Sequence, residues 1–311
     1  MLRILSGVYL GWGLGANDAA NVFGTGVAAG VVKYRTAIVL TSLFVIIGAL
    51  AQGSRGMHTV GALTDVDVHT AFIASTAAAI TITILTILAI PVSTSQAIVG
   101  AILAVGVTGG GVKISILVKI LLSWIISPFA ALLISYILYR VVGSLIERRI
   151  RDVHAWSVFM KIGFYLVGIY GAYALGANNV ANTTGVFLRA GMLTPFTASL
   201  IGSVSIGIGV CTFSRRVMYT VGKKITELSE FAALVAVLGQ DITVHLFSWV
   251  GVPVSTSQAI VGAVIGVGLV KPSGSVNFGT VGRIVMGWFS TPAAAFIMTY
   301  GILKIGAAVS M

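Results

Sequence analysis

The sequence predicts an all-α polytopic membrane protein. It would be built from two inverted-topology repeats of about five transmembrane or re-entrant helices each, with broken helices at the midplane. Three observations carry this expectation: an apolar composition, a set of motifs that returns once at a constant shift, and polar residues set inside apolar stretches. Apolar residues make up 57% of the 311 and charged residues only 9%. Soluble domains carry roughly 25% charged residues, and 19 Lys and Arg with 8 Asp and Glu cannot cover a soluble surface of this size. Mean hydropathy is +1.05. A soluble enzyme, a disordered chain, a disulfide scaffold and a coiled coil are excluded. The net charge of +11 does not point to nucleic acid, because the basic residues sit in a few loops where membrane topology explains them. The single cysteine, Cys211, lies in an apolar stretch and builds no disulfide framework. The first apolar stretch has no A-x-A cleavage pattern and is expected to be retained.

The repeat is explicit. Pro91-Val-Ser-Thr-Ser-Gln-Ala-Ile-Val-Gly100 returns as Pro253-Val-Ser-Thr-Ser-Gln-Ala-Ile-Val-Gly262, ten identities at a shift of 162. Gly15-Ala-Asn-Asp-Ala-Ala-Asn21 returns as Gly176-Ala-Asn-Asn-Val-Ala-Asn182 at a shift of 161. Trp124-Ile-Ile-Ser-Pro128 is echoed by Trp288-Phe-Ser-Thr-Pro292. Three ordered matches divide the chain into a first repeat over 1–145, a basic cytoplasmic linker over 146–157 and a second repeat over 158–311.

Taken in order, the apolar stretches of the first half are 2–30, 36–53, 70–90, 92–108 and 114–140. Those of the second are 158–190, 194–213, 230–250, 254–270 and 281–304. All are about long enough to cross a bilayer core of ~30 Å, some only just, and the short 92–108 and 254–270 could instead be re-entrant. An odd number of crossings per half turns the second half over. With the stretch 140–161 around the linker cytoplasmic, its Arg140, Arg148, Arg149, Arg151 and Lys161 share a side with Lys33, Arg35, Arg215, Arg216, Lys223, Lys224, Lys271 and Arg283. Arg3, Arg55, Lys113, Lys119, Arg189 and Lys304 fall opposite, with both termini outside. This threading satisfies the positive-inside rule.

The segment from Gly13 to Gly26 holds Asn17, Asp18, Asn21 and Thr25 among glycines. A carboxylate at the centre of a lipid-facing helix costs ~2.5–3.5 kcal/mol or more. The glycines permit a helix break that would free backbone carbonyls. Asn17 and Asn21, four apart, share a helical face. Freed carbonyls, amide oxygens and one carboxylate are a hard-oxygen set suited to Na⁺. The competing reading is a small-residue packing interface with polar glue. The two Pro-Val-Ser-Thr-Ser-Gln segments read as helix starts, with Pro in the first turn and Ser or Thr at the N-cap. A half-helix that begins at mid-membrane presents free N–H groups and the positive end of its dipole. With three hydroxyls added, two such starts make an anion cradle.

The sequence therefore assigns an anion to Ser93, Thr94, Ser95, Gln96, Ser255, Thr256, Ser257 and Gln258 with Asn21 and Asn182. It assigns a cation to Asn17, Asp18, Asn178, Asn179 and Asp241, with Asp18, Asn17 and Asn178 as the Na⁺ candidates. Asp241, in an apolar run, is a candidate for ion or proton coupling or a structural acid partnered by His245. His58 and His69 read as solvated, and Arg189 as a snorkelling arginine or an aid to the anion. No metal-ligand cluster, nucleophile triad or P-loop is present in the sequence.

These motifs resemble the signature of the inorganic phosphate transporter (PiT) family, and the resemblance covers essentially the whole chain. It implies uptake of inorganic phosphate coupled to Na⁺ or H⁺, without a cofactor, through an inverted-repeat fold in the cell membrane. It also implies a homodimer as a common assembly within the lipid bilayer. The family's ligand-binding residues map onto Asn17, Asp18, Asn21, Asn178, Asn179 and Asn182, and onto Ser93, Thr94, Ser95, Ser255, Thr256 and Ser257. Two departures matter: Asn179 stands where the pattern has Asp, and Gln96 and Gln258 stand where many members have His. Short members of the family include sulfate permeases, so sulfate remains an alternative. Phosphate keeps a proton that needs an acceptor, whereas sulfate wants donors only. A channel, a membrane-embedded enzyme and a subunit of an ATP-driven importer are the readings from other classes.

Overall fold

The computed structural model describes residues 2–87, 92–225, 228–270 and 278–309. Pro91 and Lys271 lie outside them, as do the side chains of Arg148, Lys223, Lys224 and Arg283. The described residues are helical throughout, joined by short turns. The first half contains α1 (Leu5–Ala28), α2 (Tyr34–Gln52), α3 (Ser54–Gly61), α4 (Val68–Ile87), α5 (Thr94–Val105) and α6 (Ile114–Leu138). The short α7 (Ser144–Arg149) precedes α8 (Val153–Arg189), α9 (Pro195–Ile225), α10 (Glu230–Val250), α11 (Thr256–Gly268) and α12 (Phe278–Val309). Each of the ten apolar stretches has its helix. α3 occupies part of the polar stretch between the second and third apolar stretches, and α7 with the start of α8 occupies most of the stretch read as the linker.

Seven described helices are long and apolar enough to cross a bilayer. Their outer faces are apolar: Leu121, Leu122, Ile125, Ile126, Phe129, Leu133 and Ile137 of α6 are all exposed. α5 has 12 residues and α11 has 13, about 18 and 20 Å at 1.5 Å per residue, too short to span.

Both short helices are the returning arms of hairpins. The Lys113 N–H donates to Leu63 O at 3.0 Å and the Thr64 hydroxyl to Gly111 O, so α5 ends beside the start of α4. α10 ends at Gly251, whose φ of +76° favours glycine. The chain then runs back through α11. Gly239 of α10 packs on Ser135 and Gly266 of α11 on Leu132, neighbouring positions of α6. The hairpins enter from opposite ends of α8. Phe231, at the start of α10, packs at a tilt against Trp156 near the start of α8, ring centroids 5.8 Å apart. Asp65, just before α4, pairs with Arg189 at its end.

Close approaches exchange between the halves. An added Cβ on Gly15 would lie 1.9 Å from Ile206 O, and one on Gly176 would lie 2.0 Å from Val45 O. Gly262 meets Pro128 O at 2.0 Å and Gly100 meets Pro292 O at 2.2 Å in the same sense. Each pair swaps one half for the other. The motif glycines let backbones touch, as small residues do between helices in lipid.

This corrects one expectation. α1 and α8 run unbroken through both Asn motifs. The glycines read as a break in α1 serve packing, and the interrupted backbone lies instead at the hairpin tips, where Val92–Ser93 and Val252–Ser255 are non-helical.

Candidate functional site

The tips meet the Asn motifs in the protein interior. Ser93 and Ser255 are extended N-caps whose hydroxyls accept the N–H of Gln96 at 3.4 Å and of Gln258 at 3.2 Å. The N–H groups that begin a helix lack intrahelical partners, so the starts of α5 and α11 offer backbone donors where the dipoles are positive.

Two hydroxyls join the hairpins. Ser95 Oγ donates to Val254 O at 3.1 Å, and Ser257 Oγ donates to Val92 O, also at 3.1 Å. The expectation that all three hydroxyls of each motif serve as free donors is therefore corrected: one per motif holds the opposite tip, and Ser93 and Ser255 act as caps.

The Asn motifs close around these tips. Asn178 pairs with the backbone of Val254 in both directions, Nδ2 to O at 2.9 Å and Val254 N to Oδ1 at 3.0 Å. Asn182 Nδ2 donates to Ser95 Oγ at 2.9 Å. Asp18 lies at the junction. Its Oδ1 accepts from Asn17 Nδ2 at 3.0 Å, and its Oδ2 from Asn179 Nδ2 at 3.0 Å and Thr256 Oγ1 at 3.2 Å. Asn21 Nδ2 reaches Thr256 Oγ1 at 3.5 Å. The carboxylate thus takes donors from both halves. Main-chain carbonyls do enter the site, but from Val92 and Val254 rather than from the Asn motif.

Several buried oxygens there have no protein donor: Thr94 Oγ1, Gln96 Oε1, Gln258 Oε1 and Asn182 Oδ1. Buried polar atoms are nearly always satisfied. With the Asp18 carboxylate, these amide and hydroxyl oxygens form a set suited to a hard cation or to a protonated anion.

Asp241 stands apart. It is 1% exposed, and its carboxyl lies against Gly171 of α8, two turns before Asn178. Its partner is Gln240, whose Nε2 donates to Oδ1 at 2.9 Å. His245 is engaged elsewhere, with Tyr170 Oη at 2.8 Å, Gln52 at 3.1 Å and Trp249 Nε1 at 3.0 Å. Arg189 is also remote from the site: it and Lys113 face Asp65 at 2.6 and 3.8 Å. That hydrogen bond and the two positive charges hold the exposed Asp65 carboxyl below its ordinary range. His58 and His69 are exposed. The sequence reading missed Gln240, the Val92 and Val254 carbonyls, and the bridge from Gln52 to His245. A polar residue adjoining Asp241 and another ending an apolar run were the available signals.

A model of a family described as the phosphate transporter family matches residues 14–299. The chain belongs to the phosphate transporter family. A relative in Methanocaldococcus jannaschii, named as a candidate phosphate permease, is 32% identical over 98% of this chain and 97% of its own. A sulfate permease of Bacillus subtilis is 27% identical over 98% and 87%. A solved structure described as the sodium-dependent phosphate transporter superposes with a TM-score of 0.84 at 26% identity, covering 97% of this chain and 98% of that one. Family and fold make this member of the phosphate transporter family a multi-pass integral membrane protein and a transporter, not an enzyme.

Proposed function

We propose that the protein takes up inorganic phosphate across the cell membrane as a symporter driven by Na⁺, by alternating access between two inverted halves. The observation that carries this reading is Asp18. A buried carboxylate takes donors from both Asn motifs and from the start of α11, so occupancy of one site bears on both halves. The cation binds at Asp18 with the amide oxygens of Asn17 and Asn178, lowering the charge of the site. The anion then settles against the starts of α5 and α11, on their backbone N–H groups and on Ser93 and Ser255. Thr94, Gln96 and Gln258 supply acceptors for its proton. The hairpins, entering from opposite ends of α8, support rocking of one half against the other. Coupling is required because an anion entering against an inside-negative potential meets ~2.3 kcal/mol per charge per 100 mV.

Sulfate is the second reading, favoured by the Bacillus subtilis relative. Phosphate is preferred because Gln96 Oε1, Gln258 Oε1 and Asn182 Oδ1 are buried acceptors without donors, which a fully deprotonated oxyanion cannot satisfy. Uptake of labelled phosphate and of labelled sulfate by the purified protein in liposomes, each with and without an inward Na⁺ gradient, tests the assignment. Na⁺-dependent phosphate uptake is expected, and sulfate uptake alone overturns it.

A further inference from the structure

We propose that Asp241 is a separate proton-binding site of this transporter, coupled to the same transport cycle and physically distinct from the Asp18 centre. The inference rests on the symport reading above and adds a second coupling ion to it.

The chemistry is in the environment of the carboxyl group. Asp241 is 1% exposed, and an ionised carboxylate without a partner is strongly disfavoured in such surroundings. Among the described residues no lysine, arginine or histidine lies within ion-pair distance of it. The neighbouring elements supply no such charge. α8 brings Tyr170, and α10 itself brings His245, which is held by Tyr170, Gln52 and Trp249. α3 brings Arg55, stacked over Trp249 at 5.8 Å. The α6 end brings Tyr139, tilted against Phe231 at 5.6 Å, and Arg140, bonded to Tyr136 at 2.7 Å. α1 brings Asp18, enclosed by its own donors. The described part of α11 carries no titratable side chain.

Two buried oxygens remain without a donor there, Asp241 Oδ2 and Gln240 Oε1. The other polar atoms of the pair already meet, Gln240 Nε2 donating to Asp241 Oδ1 at 2.9 Å. One proton on Oδ2 supplies what both orphans lack. It makes Oδ2 a hydroxyl, which can then donate to Gln240 Oε1, and the acid and amide become reciprocal partners. A metal cation asks for several oxygens, whereas the orphaned oxygen adjoining the carboxylate on α10 is Gln240 Oε1, and the Gly171 backbone is spent in α8. Gly171 fixes the position: a Cβ there would lie 2.4 Å from Oδ2 and 2.7 Å from Cγ. The first half has Ala79 at the equivalent position, so the site exists once.

The test uses the full chain in two measurements. Infrared absorption of the purified protein at neutral pH should contain the carbonyl band of a protonated carboxyl group. Asp241→Asn should remove that band and leave the backbone bands unchanged. An unchanged band, or none in the wild type, overturns the proposal whatever the transport result. In liposomes with Na⁺ equal on both sides, acidifying the uptake side by one pH unit should raise phosphate accumulation by up to about tenfold for one coupled proton. The same change of phosphate ionisation applies to Asp241→Asn, which should lose that response. An equal response in wild type and variant overturns the coupling. Na⁺-driven phosphate uptake without any pH-gradient response in the wild type overturns the proton site and leaves the symport reading standing. A protonated Asp241 in a protein that moves no phosphate sinks the symport reading instead.

Discussion

Asn179 donates a hydrogen bond to Asp18 at 3.0 Å, and the two residues occupy equivalent positions of the two halves. The contact therefore lies where the repeats face each other, and the chain has different residues on its two sides. Asp18 supplies the charge, and Asn179 supplies a neutral donor to it. A second carboxylate at this distance would have to share a proton or take another cation.

Asn179→Asp tests that relationship. The phosphate uptake of the variant should depend more steeply on Na⁺ concentration than that of the wild type, because the paired carboxylates call for one more positive charge. A rate-against-Na⁺ curve of unchanged steepness would separate Asn179 from the cation.

The reciprocal bonds from Ser95 to Val254 O and from Ser257 to Val92 O predict matched effects. A neutral hydrogen bond contributes about 0.5–1.5 kcal/mol net, and a stranded buried carbonyl adds to the loss. Ser95→Ala and Ser257→Ala should each lower the melting temperature in detergent by a similar amount, and the double variant should weaken phosphate affinity. A silent member of the pair would show that the tips are not equivalently held.

The glycines predict a contrast within one helix. Gly15→Ala and Gly176→Ala place a methyl group within 2.0 Å of an opposing carbonyl and should destabilise by about 1–3 kcal/mol or more. Gly13, in the same motif, has nothing within 4 Å of an added Cβ. Gly13→Ala should gain up to ~1 kcal/mol of helix propensity. Thermal stability of the three variants decides between packing and backbone interruption as the role of these residues.

Asp65 sets a pH dependence on the exposed face. Arg189 and Lys113 lower its pKa, so its contribution to stability is present above the ordinary carboxylate range and is lost as pH falls through the lowered value. Asp65→Asn should melt slightly below the wild type at neutral pH, and the difference should shrink as pH falls below the ordinary carboxylate range. A gap that widens in acid would contradict the pairing.

Much of this was legible in the sequence, for identifiable reasons. Asn17, Asp18, Asn178 and the hydroxyl-rich segments stood out because polar residues in an apolar stretch, present twice at one shift, have few structural explanations. The depth of the break was not legible. A glycine in a helix can mark an interruption or a close approach, and only Ile206 and Val45 across the interface distinguish them. The carbonyls of Val92 and Val254 were invisible because main-chain ligands leave no trace in residue type. Asp241 was visible as an acid in an apolar run. Its partner was misread because the four-residue spacing to His245 suggested a contact that Tyr170, Gln52 and Trp249 have taken. α3 was hidden by Arg55 and His58, whose polarity reads as loop.

The most direct test of the central claim compares wild type with Asp18→Asn in liposomes, following labelled phosphate under an inward Na⁺ gradient. The account predicts saturable, Na⁺-dependent uptake by the wild type and loss of the Na⁺-driven component in the variant, which should elute as a folded protein. Wild-type Na⁺ dependence retained in Asp18→Asn would contradict it.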